Sequence, residues 1–435
     1  MKITMIGAGY VGLVSGVCFA ELGHEVVCVD VDETRVSKLK DGISPIYEPG
    51  LEEMMKRNVA EDRLHFSADL STASKDASAI FIAVGTPTRR GDGHADLTYV
   101  YAAAREIAQK ADAGTVVVTK STVPVGTNAE IARILEQERP GAGLMVASNP
   151  EFLREGSAIG DFMKPDRVVV GTESEAARNV MASIYAALGD AGAPVVFTGI
   201  ETAEMIKYGA NAFLATRITF INEMARLCER VGADISAVAH GMGLDDRIGP
   251  RFLRAGPGYG GSCFPKDTKA LAQIGRDNGQ QMSIVEAVID ANEDMKLAMV
   301  DKVRDLCDGD LEGKRIAVLG VTFKAETDDM RDAPSLTILP ALDTMGAEIV
   351  ICDPQGAREG VAAFPFADWV EDAYAAAQDA DAVVILTEWR CFKDLDLERL
   401  ATSMRTPRMA DLRNLYSGAE ARAAGFEDYE GVGRR

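Results

Sequence analysis

The stretch "KITMIGAGYVG", residues 2–12, decides the fold of this chain. An apolar run of strand length, 2–6, gives way at once to Gly7, Gly9 and Gly12 in the spacing G-x-G-x-x-G. A helical pattern then covers 10–22. Glycines at that spacing permit a tight strand-to-helix turn and let a pyrophosphate approach the backbone, seated on the helix N-terminus. The next apolar run, "EVVCVD", ends on Asp30, 21 residues after Gly9. A carboxylate at that place suits a ribose 2′-hydroxyl and repels a 2′-phosphate, so NAD is expected rather than NADP. Arg35, close behind, is placed to frame the adenosine.

Reading outward, strand-like runs recur between helical stretches: "AIFIAVG", "TVVVTK", "LMVASN", "DRVVVG" and "APVVFTG". Short apolar runs separated by helices imply a parallel, doubly wound sheet. From 201 to 231 the character changes. That segment has no proline and one glycine, Gly209, and its apolar residues Met205, Ala212, Leu214, Ile218, Ile221, Ala225 and Leu227 recur at helical spacing. At "LEGKRIAVLGVTFK" the strand–helix alternation restarts. The predicted fold is α/β: two Rossmann-like doubly wound domains joined by a long central helix. The expected limits are 1–198, 199–298 and 299–435, with the last dozen residues frayed.

Composition narrows the function. The chain has 435 residues, 46 basic and 67 acidic, for a net charge of −21. Such a field opposes nucleic-acid binding. Apolar runs are far shorter than the ~20 residues of a membrane span. Neither a nucleic acid nor a membrane is an expected partner, and the cytoplasm is the expected location, since the N-terminus lacks a leader-like pattern. Seven scattered cysteines without a CxxC pair argue against a disulfide framework or a metal site. Most of them read as buried.

Three turns of the first unit, "GTPT" (85–88), "STVPVGT" (121–127) and "NPEFLREG" (149–156), follow strands and supply Thr86, Thr122, Glu151 and Glu155. Ligands of open α/β sheets bind at such strand ends. The second unit carries one glycine in "VLGVTFKAETDD", so a second dinucleotide is not expected there. Its Lys324, Arg331 and Arg413 suit a nucleotide diphosphate.

In "GPGYGGSCFPKD", 256–267, Cys263 stands before a helix start marked by Pro265 and Asp267. A thiol there, beside Lys266, is expected to carry extra thiolate. The glycines around it are expected to leave the backbone open to a substrate. A nucleophilic cysteine beside an NAD site points to aldehyde oxidation through a thiohemiacetal and a thioester. Lys207 and Asn211, four apart on the long helix, can stabilise an oxyanion, an effect worth ~3 kcal/mol per donor. None of the four histidines (24, 65, 94, 240) falls in these motifs, which disfavours a histidine base.

Together "GAGYVGLV", "VGTPT", "STVPVGT", "NPEFLREG", "KYGANAFLATRITFINE", "GPGYGGSCFPKD" and "FKAETDDMRDAP" resemble the UDP-glucose/GDP-mannose dehydrogenase family of nucleotide-sugar 6-dehydrogenases, in its compact bacterial form and of the UDP-glucose type. The resemblance covers nearly the whole chain. It implies a four-electron oxidation of UDP-glucose at C6, with NAD as cofactor. It implies Cys263 as nucleophile, Lys207 and Asn211 as oxyanion donors, Asp267 and Thr122 positioning water or proton transfer, and Glu151 as a base. Gly7, Gly9, Tyr10, Val11, Gly12, Asp30, Arg35, Thr86, Thr122, Glu155, Lys266 and Arg331 match cofactor-contacting positions. Glu151, Phe152, Leu153, Arg154, Lys207, Asn211, Phe252, Tyr259, Gly260, Phe323, Lys324 and Arg413 match substrate positions. Arg247 matches an arginine that reaches in from a neighbouring subunit, so a homodimer or higher homo-oligomer built on the long helix is expected.

Within the family, a GDP-mannose 6-dehydrogenase is the competing reading, but Tyr259 and Phe264 around the cysteine fit the UDP-glucose type better. The N-acetylated UDP-hexosamine enzymes carry a histidine where this chain has Ser262. A non-catalytic nucleotide-binding regulator is the alternative from another class. Retention of Cys263, Lys207 and Asp267 argues against it.

Overall fold

The computed structural model describes residues 1–87, 89 and 94–434. Thr88, the last residue of the turn 85–88, lies outside the described residues, as does Arg435. The chain divides into two compact units, Met1–Ala210 and Asn211–Arg435.

The strands of the first unit are Lys2–Ile6 (β1), Glu25–Val29 (β2), Leu64–Ser67 (β3), Ala79–Ile82 (β4), Val116–Thr119 (β5), Met145–Ser148 (β6), Val168–Gly171 (β7) and Val195–Thr198 (β8). They form one sheet in the order β3-β2-β1-β4-β5-β6-β7-β8. All neighbours are parallel except β6 and β7, which meet antiparallel at Ser148 and Gly171. β1 pairs with β2 on one side and β4 on the other, with Ile6 opposite both Val29 and Ile82. The direction of winding reverses between β1 and β4, and a crevice at such a point is where open α/β sheets bind ligands. Side chains alternate between two cores: Ile3, Met5, Phe81 and Val118 enter one, and Ile80, Ile82 and Val117 the other. A sheet covered on both faces has apolar residues at every position, and this is why β4 and β5 read as unbroken apolar runs.

The second unit repeats the pattern with Arg315–Leu319 (β9), Glu348–Cys352 (β10), Asp368–Trp369 (β11), Ala382–Ile385 (β12), Arg408–Asp411 (β13) and Asp428–Gly431 (β14), in the order β11-β10-β9-β12-β13-β14. Every pair is parallel. Among the described residues, the expected fraying of the last dozen is not observed. β14 pairs with β13, Val432 is buried, and the Gly433 N–H donates to Glu229 at 2.7 Å. "DYEGVG" reads as polar and glycine-rich, so only its tertiary partners reveal it as a strand and an anchored end.

The helix Ile200–Val231 is 32 residues long and runs through the division between the units. Ala212, Ala215, Ile221 and Ala225 are buried, while Phe213, Phe220 and Leu227 stand exposed at seven-residue spacing. Among the described residues no helix is long and apolar enough to cross a membrane.

Candidate active site

The dinucleotide turn is shaped by its glycines. Gly7 has φ +98°, and a Cβ on Gly12 would fall 1.8 Å from the Gly7 carbonyl oxygen. Space beside Gly9 is open to at least 4 Å, the room a phosphate needs at the start of the helix Tyr10–Glu21. Asp30, at the end of β2 and 7% exposed, accepts the Ala8 N–H at 2.8 Å and the Asp32 N–H at 3.0 Å. Arg35 Nη1 lies 2.9 Å from Asp30 Oδ2. Burial acts to raise this carboxyl, but the two amides and the guanidinium hold it below its ordinary value. The turn and acid together fit an NAD molecule: helix-end amides for the pyrophosphate and an ionised carboxylate for a ribose diol. If Asp30 holds the ribose, Asp30→Ala is expected to raise the KM for NAD⁺ about tenfold or more, the scale of a charged hydrogen bond. The KM for the second substrate should change far less. An unchanged KM for NAD⁺ in steady-state assays would remove Asp30 from that role.

Thr86 and Thr122 come together at the ends of β4 and β5, where Thr86 Oγ1 donates to the Thr122 carbonyl at 3.0 Å. The turn that carries Thr122 is held by Glu204, which accepts the N–H groups of Gly126 and Asn128 at 2.8 and 3.1 Å.

After β6, Glu151 and Lys207 form a buried ion pair at 2.9 Å, each side chain 4% exposed. Glu151 Oε2 also accepts the Leu153 N–H at 2.6 Å. Burial works most strongly to raise the Glu151 carboxyl, but the Lys207 ammonium, the Leu153 amide and Lys120 together hold the group below the usual range. Phe152 stacks under the Arg167 guanidinium at 3.5 Å, and Arg154 pairs with Asp161 at 2.6 Å.

Sequence reasoning passed over Lys120, at the end of β5. It is 4% exposed and donates to Asn149 Oδ1 at 3.1 Å and to the Tyr185 hydroxyl at 3.3 Å. Burial pushes its ammonium down to about 8, against the attraction of Glu151. Lys120 lines one small cavity with Asn149, Glu151 and Phe152. In the sequence it is one lysine in "VTKSTVP", with no pattern to separate it from a surface charge.

In the second unit, Cys263 directly precedes the helix Phe264–Asp277, and the Asp267 N–H returns to its carbonyl at 2.8 Å. The thiol is partly exposed and not disulfide-bonded, with Ser262 Oγ 3.4 Å from its sulfur. Asp267 is fully buried. It accepts from Asn211 Nδ2 at 2.6 Å and from Lys266 Nζ at 2.7 Å. Lys266, expected beside the thiol, donates to Asp267. Lys207 and Asn211 thus each face a carboxylate, Glu151 and Asp267 respectively.

The glycines before the cysteine differ from expectation. A Cβ on Gly260 would meet the Asp332 carbonyl at 2.4 Å, and one on Gly261, at φ +84°, would meet the Phe323 ring at 2.7 Å. These two are small because the chain's own backbone and Phe323 pack on them. Phe252, with φ +61°, holds a left-handed conformation unusual for a bulky residue. Its ring lies 6.2 Å from Phe264, which also meets Tyr259 edge-on at 6.1 Å.

Arg413 Nε and Nη2 donate to the carbonyls of Leu386 and Phe323 at 2.8 and 2.7 Å, and Glu388 lies 3.0 Å away. Lys324 Nζ sits 5.4 Å from the Phe323 ring centre. A cavity of about 640 Å³ opens nearby, lined by Arg254, Glu326, Glu388, Lys393, Asn414 and Arg434 among others. Its walls are sequence neighbours of Phe252, Lys324 and Arg413 rather than those residues themselves. Arg331 pairs with Asp329 and Arg247 with Asp245, and both arginines are largely exposed.

A glycine-shaped dinucleotide turn on one doubly wound sheet, with a second such sheet and a helix-end cysteine further on, defines the class of dinucleotide-dependent oxidoreductases. The chain belongs to the UDP-glucose/GDP-mannose dehydrogenase family, whose NAD binding domain matches residues 1–189, central domain residues 201–294 and UDP binding domain residues 317–418. NAD is its cofactor. The chain is 55% identical over 436 residues to a UDP-glucose 6-dehydrogenase of Rhizobium meliloti (strain 1021), with all of both chains covered. It is 48% identical over 435 residues to a UDP-glucose 6-dehydrogenase of Bacillus subtilis (strain 168), covering 100% of this chain and 93% of that one. A UDP-glucose dehydrogenase structure from the hyperthermophilic archaeon Pyrobaculum islandicum matches with a TM-score of 0.91 at 40% identity, covering 100% and 98% of the two chains.

Proposed function

We propose that the chain oxidises the C6 alcohol of UDP-glucose to the carboxylate of UDP-glucuronate, with two NAD⁺ and one water per sugar. The full-length likeness to UDP-glucose 6-dehydrogenases supports the substrate. The observation that carries the chemistry is Cys263 at a helix start, followed one turn later by a fully buried Asp267 that engages Lys266 and Asn211.

In this reading the bound nicotinamide accepts the electron pair removed at each of the two oxidations. The chain does the rest. Lys207 and Asn211 stabilise negative charge on the C6 oxygen. The Cys263 sulfur adds to the C6 aldehyde, and after the second oxidation the same sulfur holds the acyl group as a thioester. Water attacks that carbonyl, the C–S bond breaks and the thiolate is restored. Glu151, Asp267 and Thr122 orient the water and take its proton. Tyr10, Val11, Glu155, Lys266 and Arg331 are assigned to the cofactor. Phe152, Leu153, Arg154, Phe252, Tyr259, Gly260, Phe323, Lys324 and Arg413 are assigned to the nucleotide sugar.

Residues 1–198, 199–298 and 299–435 serve in this reading as the NAD, central and UDP-sugar parts. The exposed Phe213, Phe220 and Leu227 support a homodimer through the long helix, with Arg247 offered to the neighbour. The cytoplasm is the proposed location. The reading predicts two NADH per UDP-glucose consumed, followed at 340 nm alongside product analysis, and much weaker turnover of UDP-galactose, UDP-N-acetylglucosamine and GDP-mannose. One NADH per sugar, or no turnover of UDP-glucose, would overturn it.

A further inference from the structure

Glu48 belongs to "SPIYEPGL", residues 44–51, which carries none of the motifs read from the sequence. The structure makes it a junction. It is 6% exposed. Its Oε1 accepts the Ala158 N–H at 2.8 Å, and its Oε2 accepts the Gly156 N–H at 2.7 Å. Oε2 also accepts the hydroxyl of Tyr10. Tyr10 opens the helix that begins directly after Gly9 of the dinucleotide turn. Gly156 and Ala158 sit at the far end of the segment that carries Glu151, Phe152, Leu153, Arg154 and Glu155.

The start of that segment is held by the Glu151–Lys207 ion pair at 2.9 Å and by the Leu153 N–H on Glu151 at 2.6 Å, and Arg154 pairs with Asp161. The side chain of Ser157 makes no cap on the short helix Ala158–Met163, and Glu48 meets that helix's first amide instead. Leu153, Ile159, Ile46 and Tyr10 pack on the same core cluster. Burial first, and the Glu48 carboxylate second, push the Tyr10 phenol far above its ordinary value, so it remains a hydrogen-bond donor at neutral pH.

We propose that Glu48 is a positioning residue that fastens the loop 149–157 to the first turn of the dinucleotide helix, so that filling the cofactor site orders this loop. The significance of the loop rests on the reading above, in which it contacts the nucleotide sugar. The physical route is short. A cofactor seated on the turn restricts Tyr10, and Tyr10 shares one carboxylate with the Gly156 amide. Ordering entropy met by the first ligand is then not met again by the second, which is a coupling free energy that works in both directions.

Hydrogen–deuterium exchange of the full chain, with and without saturating NAD⁺, tests the link. In the wild type, NAD⁺ is expected to slow exchange in a peptide covering 152–158 by about tenfold or more, on the scale of a local opening free energy. Glu48→Gln sets an amide NH₂ against a backbone N–H. It is expected to speed exchange there about tenfold without ligand, and to abolish the NAD⁺ effect. The KM for UDP-glucose should rise with kcat nearly unchanged. Tyr10→Phe keeps the carboxylate's two amide bonds and, with NAD⁺ raised until the variant's site is again saturated, should lose the NAD⁺ effect on the loop, so it decides the matter if Glu48→Gln does not fold. Loop exchange that ignores NAD⁺ in the wild type, or keeps its full NAD⁺ response in Tyr10→Phe, would overturn the proposal. If the loop behaves as expected and UDP-glucose is not oxidised, the clamp stands and the assigned substrate falls.

Discussion

Cys263→Ser is expected to lower net formation of the sugar acid on the order of 10³-fold or more, equal to about 4 kcal/mol of barrier. The affinity for UDP-glucose should stay within about threefold of wild type, because the substitution changes one atom and no packing volume of note. The seven cysteines provide the contrast. Cys18, Cys28, Cys228, Cys307 and Cys352 are buried, and burial pushes the Cys18 and Cys28 thiols up to about 12. Thiols in that state are poor nucleophiles. Cys391 is exposed, but it lies in no motif of the proposed chemistry. Cys391→Ser should therefore leave turnover unchanged. Full activity in Cys263→Ser, measured as NADH and carboxylate formed, would contradict a covalent thioester.

Much of the scaffold was legible because backbone geometry is written in residue type. A strand, three glycines, a helix and an acid at fixed spacing describe one turn, and Gly7, Gly12 and Asp30 act there through local sterics and hydrogen bonds. The helix start at Phe264 was equally local, marked by Pro265 and Asp267. What escaped depends on partners distant in sequence. Glu48 meets the residues 156 and 158, and Lys120 meets Asn149 and Tyr185, with no periodicity to announce either contact. Gly260 and Gly261 were read as room for a substrate. Their neighbours Asp332 and Phe323 lie 72 and 62 residues on, and no local rule distinguishes a glycine that faces ligand from one that faces the chain's own backbone. The apolar residues read on the long helix include the exposed Leu227 but not Phe213 and Phe220, which stand exposed with it at seven-residue spacing.

Lys207→Met should be costly in two separable ways. The ammonium and the Glu151 carboxylate lie 2.9 Å apart with almost no solvent access, and removing one partner of a buried pair strands the other. Such a loss typically costs about 3–5 kcal/mol, and the double variant Glu151→Gln/Lys207→Met should recover much of it. Its pH dependence identifies the cause. In the wild type the Glu151 carboxyl is held below its unfolded value, so its contribution is complete above about pH 4.3 and fades as the pH falls through the folded value. Without Lys207, burial, the largest single influence on this carboxyl, is opposed only by the Leu153 amide and Lys120, and the folded carboxyl is expected to move above the unfolded value. Stability of the variant then declines as pH rises through the unfolded value, until the folded carboxyl itself ionises. Denaturant midpoints should therefore separate wild type and variant more widely at pH 7 than at pH 4. An equal gap at both would place the loss in packing rather than in charge. Activity provides the second reading. If the ammonium stabilises oxygen anions at C6 as proposed, its loss is expected to lower kcat about 10²–10³-fold, with the KM for UDP-glucose little changed. The double variant should regain stability without regaining kcat. Recovery of both together would mean that Lys207 serves the fold and not the chemistry.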